Sequence, residues 1–408
     1  MIAERKIFRL KGKTQHYNWG GIDFIPLLLG IENSSRLPFA EYWLGAHDTA
    51  PSEVEINEIE FISLNKLVNA NPELLLGKDV AKQFKRLPYL LKVLDVKDML
   101  SIQVHPSKLD AEKEFARENA ELIPLNASNR NYKDDNHKPE LMVALSDFWL
   151  LHGFKSSEKL TAILHANPEL KTLLPVFEQS GYKGLYKYVM EMPQEEVYNM
   201  LQPLLNRIIP LYKQDTIKKE EEDFWAAGAA ITFNETGKID RGIFSIYLFN
   251  LVHLKKGEGI YQAAGVPHAY LEGQNVEIMA NSDNVLRGGL TTKHIDVGEL
   301  MKHVKCEALQ PGIIYPGFTS GKNSYKTPAI DFELNYFALA AGEKFSFSSN
   351  SAEIILVMNG EIVVKQNETS IPLHKGQSIV VFDGAKAEVV ARQDSQWYSA
   401  SVPVNKDE

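Results

Sequence analysis

The chain has 408 residues, 44% of them hydrophobic, which is enough apolar material for a sizeable core and typical of about two to three domains. Its net charge of −9, with acidic residues dispersed along the chain, argues against a nucleic-acid-binding surface and against attraction to anionic lipid. Cys306 is the single cysteine, so an intrachain disulfide is excluded, and the lack of a secretory signal or of about 18 consecutive apolar residues predicts a globular cytoplasmic protein.

The N-terminal segment from Ile7 to about Leu94 has short, mixed patterns broken by glycine and proline. Trp19 precedes a glycine turn, where a tryptophan either packs in the core or forms the wall of a pocket. The segment Glu41–His47 combines charge, aromatic rings and an imidazole, which favours a half-buried strand at a sheet edge. In the apolar strand predicted at 87–94, Lys92 is the one charged residue, and we expect it to point into a polar cavity.

The stretch from Leu100 to Pro106 has two faces of different chemistry. Successive side chains of a strand point to opposite faces, so its three apolar residues share one face while Ser101, Gln103 and His105 share the other. The apolar face predicts a core contact. A hydroxyl, an amide and an imidazole in a row predict a polar ligand over the other face, and a metal ion is the first candidate.

A polar cluster at 134–140 follows a short surface helix predicted from Lys108 to Asn119. The cluster leads directly into the apolar residues 141–145, so it lies at the mouth of a buried strand. If the extended conformation begins by Lys138, then Lys138 and Glu140 have the same parity and project to one side.

Helical periodicity extends from Ser156 to about Asp223, where apolar residues recur at intervals of three or four. Leu160 and Leu164 begin this pattern, which predicts a helical insert.

A β pattern returns at Ile243–Val252 and is followed by a glycine-rich turn and by G-V-P-H-A-Y at 265–270. A strand, a glycine turn and a Gly-x-Pro-His rim are common in small double-sheet β-barrels of the cupin or jelly-roll kind. A further strand contains the isolated carboxylate Glu277, and the polar loop after it has one arginine, Arg287.

Short strands at regular spacing from Ile330 onward predict a second jelly roll. Its one histidine, His374, has no imidazole–carboxylate set nearby, so we predict no metal in this part. The predicted fold is mainly β with a helical insert, namely two cupin or jelly-roll barrels and an α-helical domain. We predict a catalytic cupin-like domain, a helical insert domain and a C-terminal jelly-roll domain at residues 1–155 with 224–329, 156–223 and 330–408.

Four residues are candidate metal ligands, namely Gln103, His105, Glu140 and His268. Zinc is bound by imidazole and carboxylate, and its catalytic sites keep one position open. Neutral amide and imidazole groups with one carboxylate leave net positive charge on the ion, so it stays a useful Lewis acid. For each residue taken alone, packing in the core is the more frequent role, so spacing by itself is a weak signal.

Three ordered motifs resemble the signatures of the type I mannose-6-phosphate isomerases of the cupin superfamily. They are Q-V-H-P at 103–106, D-N-H-K-P-E at 135–140, and G-V-P-H-A-Y followed by E-I-M-A-N-S-D-N-V-L-R-G-G-L-T-T-K up to Lys293. The similarity extends to Y-N-W-G, E-Y-W-L-G-A-H and L-P-Y-L-L-K-V-L nearer the N-terminus. The helical insert and the terminal barrel fit the longer form of this family.

The resemblance implies interconversion of mannose 6-phosphate and fructose 6-phosphate through a cis-enediol. It also implies one zinc ion per chain, held at Gln103, His105, Glu140 and His268. Arg287 then lies next to the reacting carbons, and Glu277 and the His137–Lys138 pair are competing acid–base candidates. Sequence alone does not decide among them.

Positive charge would gather around one cavity although the chain as a whole is negative. We expect Lys92 and Lys293 to bind the substrate, with Ser101 donating a hydrogen bond to a phosphate oxygen and Trp19 as a wall. The expected partner is therefore a small sugar phosphate, with no nucleic acid and no membrane, and a monomer is expected.

Two other functions stay open on the sequence. A metal-dependent cupin oxygenase would need a compact three-histidine or two-histidine–one-carboxylate set, which a glutamine ligand disfavours. A non-catalytic sugar-phosphate-binding cupin would predict that Arg287→Ala leaves affinity and basal turnover unchanged.

Overall fold

The computed structural model describes residues 4–403, so residues 1–3 and 404–408 of the first and third predicted domains lie outside the described residues. Most of its longer helices lie in the middle of the chain. The α-helices are α1 (Phe24–Leu29), α2 (Leu64–Ala70), α3 (Pro72–Leu76), α4 (Lys78–Phe84), α5 (Lys108–Ala120), α6 (Ser157–Ala166), α7 (Leu174–Glu191), α8 (Gln194–Lys213), α9 (Glu222–Phe233), α10 (Gly242–Leu248) and α11 (Val297–His303). A 3₁₀ helix, Pro168–Leu173, lies between α6 and α7.

The strands flank the helical region on both sides in the sequence. They are β1 (Ile7–Lys11), β2 (Lys13–Gln15), β3 (Glu41–Gly45), β4 (Glu53–Glu55), β5 (Phe61–Ser63), β6 (Tyr89–Val96), β7 (Gln103–Val104), β8 (Glu140–Ala144), β9 (Phe148–Phe154), β10 (Phe249–Leu254), β11 (Gly259–Gln262), β12 (His268–Ala280), β13 (Leu286–Arg287), β14 (Ile313–Ile314), β15 (Gly321–Tyr325), β16 (Glu333–Leu339), β17 (Lys344–Ser348), β18 (Glu353–Asn359), β19 (Glu361–Gln366), β20 (Thr369–His374), β21 (Ser378–Val381), β22 (Lys386–Ala391) and β23 (Ser395–Ser401).

These strands form three antiparallel sheets. Sheet 1 has the order β15-β16-β23-β18-β21-β1-β4-β5, and sheet 3 has the order β17-β22-β19-β20. Sheet 2 follows β14-β11-β8-β12-β6-β3-β2, with β7 and β9 also paired to β12. Since β1 pairs with β21, with Ile7 opposite Val381, sheet 1 joins strands from both ends of the chain.

The long strand β12 organises sheet 2. Its first half pairs with β7 and β9, and its second half pairs with β6 and β8. Gly273, at φ 129°, lies where the partners change, and a Cβ there would lie 2.6 Å from the backbone oxygen of Asp147. A glycine therefore lets one strand serve both halves of the sheet.

The central strands of sheet 2 are buried on both faces, which explains their continuous apolar sequence. In β8, Leu141 and Val143 pack in a core shared with sheet 1, whereas Met142 packs inside sheet 2 with Phe148 and Ile260. A separate core fills the space between sheets 1 and 3, here called the C-terminal sandwich, and it includes Ile7 from the N-terminal strand.

The helices from α6 to α10 pack around one core of their own and against sheet 2. The helical pattern was predicted correctly at its start, where Leu160 and Leu164 are fully buried. The strand prediction from Ile243 was wrong for its first part, because residues up to Leu248 form α10. Every residue of α10 is buried, so the segment has no polar face from which a helical period could be recognised.

The stretch from Leu100 to Pro106 is only partly a strand, because only Gln103 and Val104 form strand pairing with neighbouring strands. The predicted division of faces is found for Ile102 and Val104, which are fully buried, and for Ser101 and Gln103, which are partly exposed. It was wrong for Leu100, which is partly exposed like Ser101, because the strand begins only at Gln103 and alternation does not extend back to Leu100. Within residues 4–403, no helix has both the length and the apolar character required to cross a membrane.

Candidate metal centre and active-site cleft

Two imidazoles and one carboxylate, from three distant segments of the chain, meet at one point on sheet 2. The Nε2 atom of His105 lies 3.4 Å from one oxygen of Glu140, and the Nε2 atom of His268 lies 3.3 Å from the other. One ligand atom from each residue can be chosen so that all lie within 4.8 Å of one another, and all three residues are buried. A single cation could therefore bind all three side chains.

Backbone carbonyls fix the orientation of both imidazoles. The Nδ1 atom of His105 donates to the carbonyl of Asn284 at 2.7 Å, and that of His268 donates to the carbonyl of Val266 at 3.0 Å. Because a carbonyl only accepts, the Nδ1 atom of each ring must carry a proton, and in the form that binds a metal the Nε2 lone pair is directed at Glu140. Lone pairs facing a carboxylate repel it, and a bound cation removes that repulsion.

The protonation states suit metal ligands as well. Burial lowers the pKa of His105 to about 4, so the ring is neutral at pH 7. Burial acts to raise the pKa of Glu140, but the ammonium of Lys138 acts in the opposite direction, and the pKa lies well below its ordinary value. A neutral imidazole and an ionised carboxylate are the forms that bind zinc. The buried Nε2 atom of His105 has no hydrogen-bond partner among the described residues.

Gln103 lies beside this cluster in the same row of the sheet. It stands opposite His268 across the β7–β12 pair and opposite Arg287 across the β7–β13 pair. Directly opposed residues in an antiparallel pair project to the same face, so the three side chains share one face. His152, opposite His268 on β9, extends the same row and was not predicted.

The row opens into a cleft of about 760 Å³. Six of the predicted site residues line this cleft, namely Trp19, Ser101, Gln103, Lys138, Arg287 and Lys293. Lys138 is buried, and its ammonium lies 3.1 Å from the Glu140 carboxylate, which joins the metal-ligand cluster to the wall of the cleft. The parity argument for Lys138 and Glu140 therefore placed both side chains on the correct side of the chain.

The cationic groups of the cleft are held partly away from water. Burial lowers the pKa of Arg287, and burial together with the charge of Arg287 lowers the pKa of Lys293. Neither residue has an ion-pair partner within 4 Å among the described residues. Their charges are therefore available to an anionic ligand.

Lys92 lies deeper than predicted and is not exposed on the cleft. Its ammonium is 3.4 Å from Glu41 and 3.3 Å from Glu277, and it lies 5.0 Å from the centre of the Trp43 ring. Burial opposes its charge, but these carboxylates raise its pKa above the ordinary value. The charge of Lys92 is thus compensated inside the protein.

Glu277 and His137 do not line the cleft either. Glu277 accepts a hydrogen bond from the Tyr270 hydroxyl at 2.8 Å, and burial raises its pKa. His137 has the opposite parity to Lys138, and its Nε2 atom lies 2.9 Å from Asp331. The structure therefore brings neither of these acid–base candidates to the lining of the cleft.

Several residues that shape the site were not identified from sequence. The fully buried Asn284 donates to the carbonyls of Asp134 and Asn136, both at 2.8 Å, and so ties the Arg287 loop to the segment before Glu140. Glu41 and Asp283 line the cleft as acids. The D-N-H-K-P-E and N-S-D-N motifs can be seen in the sequence, but the sequence does not show that they contact each other.

Comparison with known proteins gives one consistent result. A family model of the phosphomannose isomerase type I catalytic domain matches residues 7–157. The mannose-6-phosphate isomerase of Salmonella typhimurium is 35% identical over 379 residues, which is 91% of this chain and 94% of that protein. The mannose-6-phosphate isomerase of Rattus norvegicus is 31% identical over 429 residues, with 96% of each protein covered.

The fold agrees with these relatives. A crystal structure of mannose 6-phosphate isomerase from Salmonella typhimurium, bound to its substrate and to zinc, matches with a TM-score of 0.87 and 32% identity. The match covers 98% of this chain and 100% of that one. Because the family model matches, and because the relatives match over nearly the full length of both chains, this protein belongs to the type I mannose-6-phosphate isomerase family.

Proposed function

We propose that this chain is a zinc-dependent aldose–ketose isomerase that interconverts mannose 6-phosphate and fructose 6-phosphate. The observation that carries the proposal is the buried cluster of His105, Glu140 and His268, which Lys138 joins to the wall of a cleft lined by cationic side chains. An anionic sugar needs local positive charge in a protein of net charge −9, and Arg287 and Lys293 provide it.

The zinc ligands in this proposal are His105, Glu140 and His268, with Gln103 as the fourth. The side chain of Gln103 shares a sheet face with His268, and its amide oxygen is a neutral ligand. When bound, zinc supplies a Lewis acid that polarises a substrate oxygen. The Nδ1 hydrogen bonds of the two imidazoles hold the ligand nitrogens in place.

Substrate binding is assigned to the residues that line the cleft. Lys293 and Ser101 bind the phosphate, one through charge and the other through its hydroxyl, and Trp19 forms a wall against the sugar. Lys92 is given a positioning role, because it holds Glu41 and lies against Trp43, both of which line the cleft.

Isomerisation moves one proton between C1 and C2 of the sugar and another between the two oxygens, through a cis-enediol. We assign charge stabilisation to Arg287, whose partial burial strengthens its interaction with a developing oxyanion. Lys138 is the acid–base candidate that its position favours, since it lines the cleft next to the ligand Glu140. Glu277 and His137 are given positioning roles, through their contacts with Lys92 and Asp331 respectively.

A chelation experiment tests the proposal. Turnover of mannose 6-phosphate is followed in a coupled assay before chelator treatment, after removal of the metal, and after addition of zinc. We expect loss of activity on chelation and recovery with zinc, with the fold retained by circular dichroism. A metal-replete protein that does not turn over mannose 6-phosphate would refute the function.

The finer architecture is proposed as well. We propose two cupin or jelly-roll barrels, one built on sheet 2 and one on the C-terminal sandwich, with the helices as an insert between strands of the first. The residues proposed for the three domains are 1–155 with 224–329, 156–223 and 330–408. In support, the metal cluster and the apolar core beneath it both lie on sheet 2. The cytoplasmic location and the monomeric state stay predictions.

A further inference from the structure

The loop at residues 288–293, here called the rim loop, forms one side of the cleft, which its last four residues line. The start of the rim loop is bonded to the segment that leads into β7. The backbone N–H of Gly288 donates to the carbonyl of Ile102 at 2.9 Å, and the N–H of Ile102 donates to the carbonyl of Gly289 at 3.0 Å. These two bonds hold only the start of the rim loop, and a different residue holds the rest.

The carboxylate of Asp240 accepts hydrogen bonds from the second half of the rim loop. Its Oδ1 atom accepts from the backbone N–H of Leu290 at 2.8 Å, and its Oδ2 atom accepts from that of Thr291 at 3.1 Å. The Oδ1 atom also accepts from the N–H of Gly242, at the start of α10, at 2.7 Å. Asp240 is buried and lies 50 residues before Leu290, so these charge-assisted bonds join two distant segments.

The backbone of the rim loop is strained at the point where Asp240 holds it. Leu290 has a φ of 53°, in the left-handed region that is unfavourable for a bulky side chain. The segments also approach closely, since a Cβ on Gly242 would lie 2.6 Å from the backbone nitrogen of Leu290. A strained residue keeps its conformation only where its surroundings hold it there. The bonds from Asp240 to Leu290 and Thr291 provide that support.

A chain of hydrogen bonds leads from Asp240 to Lys293. The hydroxyl of Thr291 accepts from the backbone N–H of Lys293 at 3.1 Å, and the N–H of Thr291 donates to Asp240. Arg287 is held in a different way, because it pairs with Gln103 of β7. Loss of the Asp240 carboxylate should therefore displace Lys293 more than it displaces Arg287.

Asp240 also connects the rim loop to the helices. The side-chain oxygen of Asn234 accepts from the backbone N–H of Asp240 at 2.9 Å. Asn234 directly follows α9, whose last two residues, Thr232 and Phe233, line the cleft. The helices thus contribute to the cleft in two ways, through the end of α9 itself and through the segment after it, which holds the rim loop.

We propose that Asp240 is a positioning residue for the isomerase reaction, and that it holds the rim loop so that Lys293 meets the phosphate of the substrate. Asp240 does not line the cleft itself and acts through Thr291. The inference rests on the proposed function, in which Lys293 binds the phosphate. Its effect is therefore on KM, whereas a merely structural role would lower the amount of active enzyme and leave KM unchanged.

Steady-state kinetics of the zinc-loaded protein with mannose 6-phosphate test the inference. We expect KM to rise about tenfold in Asp240→Ala and about fivefold in Asp240→Asn, with kcat and zinc content within about twofold of the parent. An amide oxygen can still accept from Leu290, but an amide NH₂ group cannot accept from Thr291, so Asp240→Asn separates the link to Lys293 from the support of the fold. Its melting temperature should therefore lie closer to that of the parent than the melting temperature of Asp240→Ala does.

A matched control and a double variant sharpen the test. Asp394→Asn changes a carboxylate of the C-terminal sandwich that accepts from the backbone N–H of Ala341, and it should leave KM unchanged. Lys293→Ala should raise KM at least about tenfold, and Asp240→Asn added to it should raise KM no further, because the residue through which Asp240 acts is already absent.

Three outcomes would overturn the inference. They are an unchanged KM in Asp240→Ala, a fall in kcat without a rise in KM, and effects of Asp240→Asn and Lys293→Ala that add in the double variant. All three are observed in a protein that turns over mannose 6-phosphate. An unmodified, metal-replete protein without turnover would refute the proposed function as well, so the two failures can be told apart.

Discussion

Sheet 2 and the C-terminal sandwich are both antiparallel β structures with an apolar core and a polar opening, but their strand ends differ in chemistry. In sheet 2, the strand ends carry the imidazoles and the carboxylate of His105, His268 and Glu140. In the sandwich, the corresponding row has Asn335, Ser399 and aromatic rings below them. The comparison teaches that a few side chains at the strand ends determine the chemistry, whereas the core determines only the fold.

The largest expected effect is on the metal-ligand cluster of sheet 2. We expect His105→Ala to lose zinc and to lower turnover at least about 10³-fold, because several kcal/mol of transition-state stabilisation depend on the ion. Metal analysis and the coupled assay measure both quantities. His374→Ala, at an exposed histidine of the sandwich, is the matched control. Equal zinc content in the two variants would remove the distinction between the two regions.

A smaller effect is expected at Arg287, which lines the cleft without belonging to the metal cluster. Its replacement by alanine should lower kcat about 10²-fold, because a donor to the developing oxyanion is lost, while zinc content stays unchanged. Steady-state kinetics with metal analysis measure this. The control is Arg392→Ala, at an exposed arginine of the sandwich. Unchanged kcat would contradict the assigned role and favour a binding protein.

Ser101 should affect substrate binding more than chemistry. We expect Ser101→Ala to raise KM about tenfold with kcat and zinc content nearly unchanged, because one hydrogen bond to the phosphate is lost. Mannose 6-phosphate kinetics measure the separation. A fall in kcat without a change in KM would place Ser101 near the reacting carbons instead.

The smallest expected effect is on stability and belongs to the sandwich. The pKa of Glu353 is about 6 in the folded protein, compared with an ordinary value of 4.5. At pH values between these two pKa values, the folded state therefore binds the proton of Glu353 more tightly than the unfolded state does. Ionisation of Glu353 consequently destabilises the fold increasingly as the pH rises through this range.

Glu353→Gln should therefore raise the free energy of unfolding by about 1–2 kcal/mol more at pH 7 than at pH 4. Thermal unfolding at the two pH values, with Glu368→Gln as the exposed control, measures the difference. The same stabilisation at both pH values would mean that the carboxyl group does not titrate in this range.

Local rules predicted much of the site. Strand parity predicted the shared side of Lys138 and Glu140 and the opposite faces of Gln103 and Val104, and both are found in the structure. These predictions succeeded because side-chain direction in an extended segment depends only on its immediate neighbours. The resemblance of the motifs then gave the family, which the comparisons confirm.

Contacts between distant segments could not be predicted in this way. The charge of Lys92 is compensated by Glu41 and Glu277, which come from two other strands, and His137 meets Asp331 far along the chain. The helix α10 was predicted as a strand because burial on all sides removes the periodic signal. Sequence patterns indicate the direction of each side chain relative to its neighbours and the average burial of a segment. Which distant residues contact each other depends on the complete fold.

Zinc-edge anomalous diffraction from crystals of the active protein tests the central claim most directly. We expect one anomalous peak at about 2.0–2.2 Å from the Nε2 atoms of His105 and His268 and from a carboxylate oxygen of Glu140, with Gln103 in contact. A peak elsewhere, or no peak in crystals of protein that turns over mannose 6-phosphate, would contradict the account.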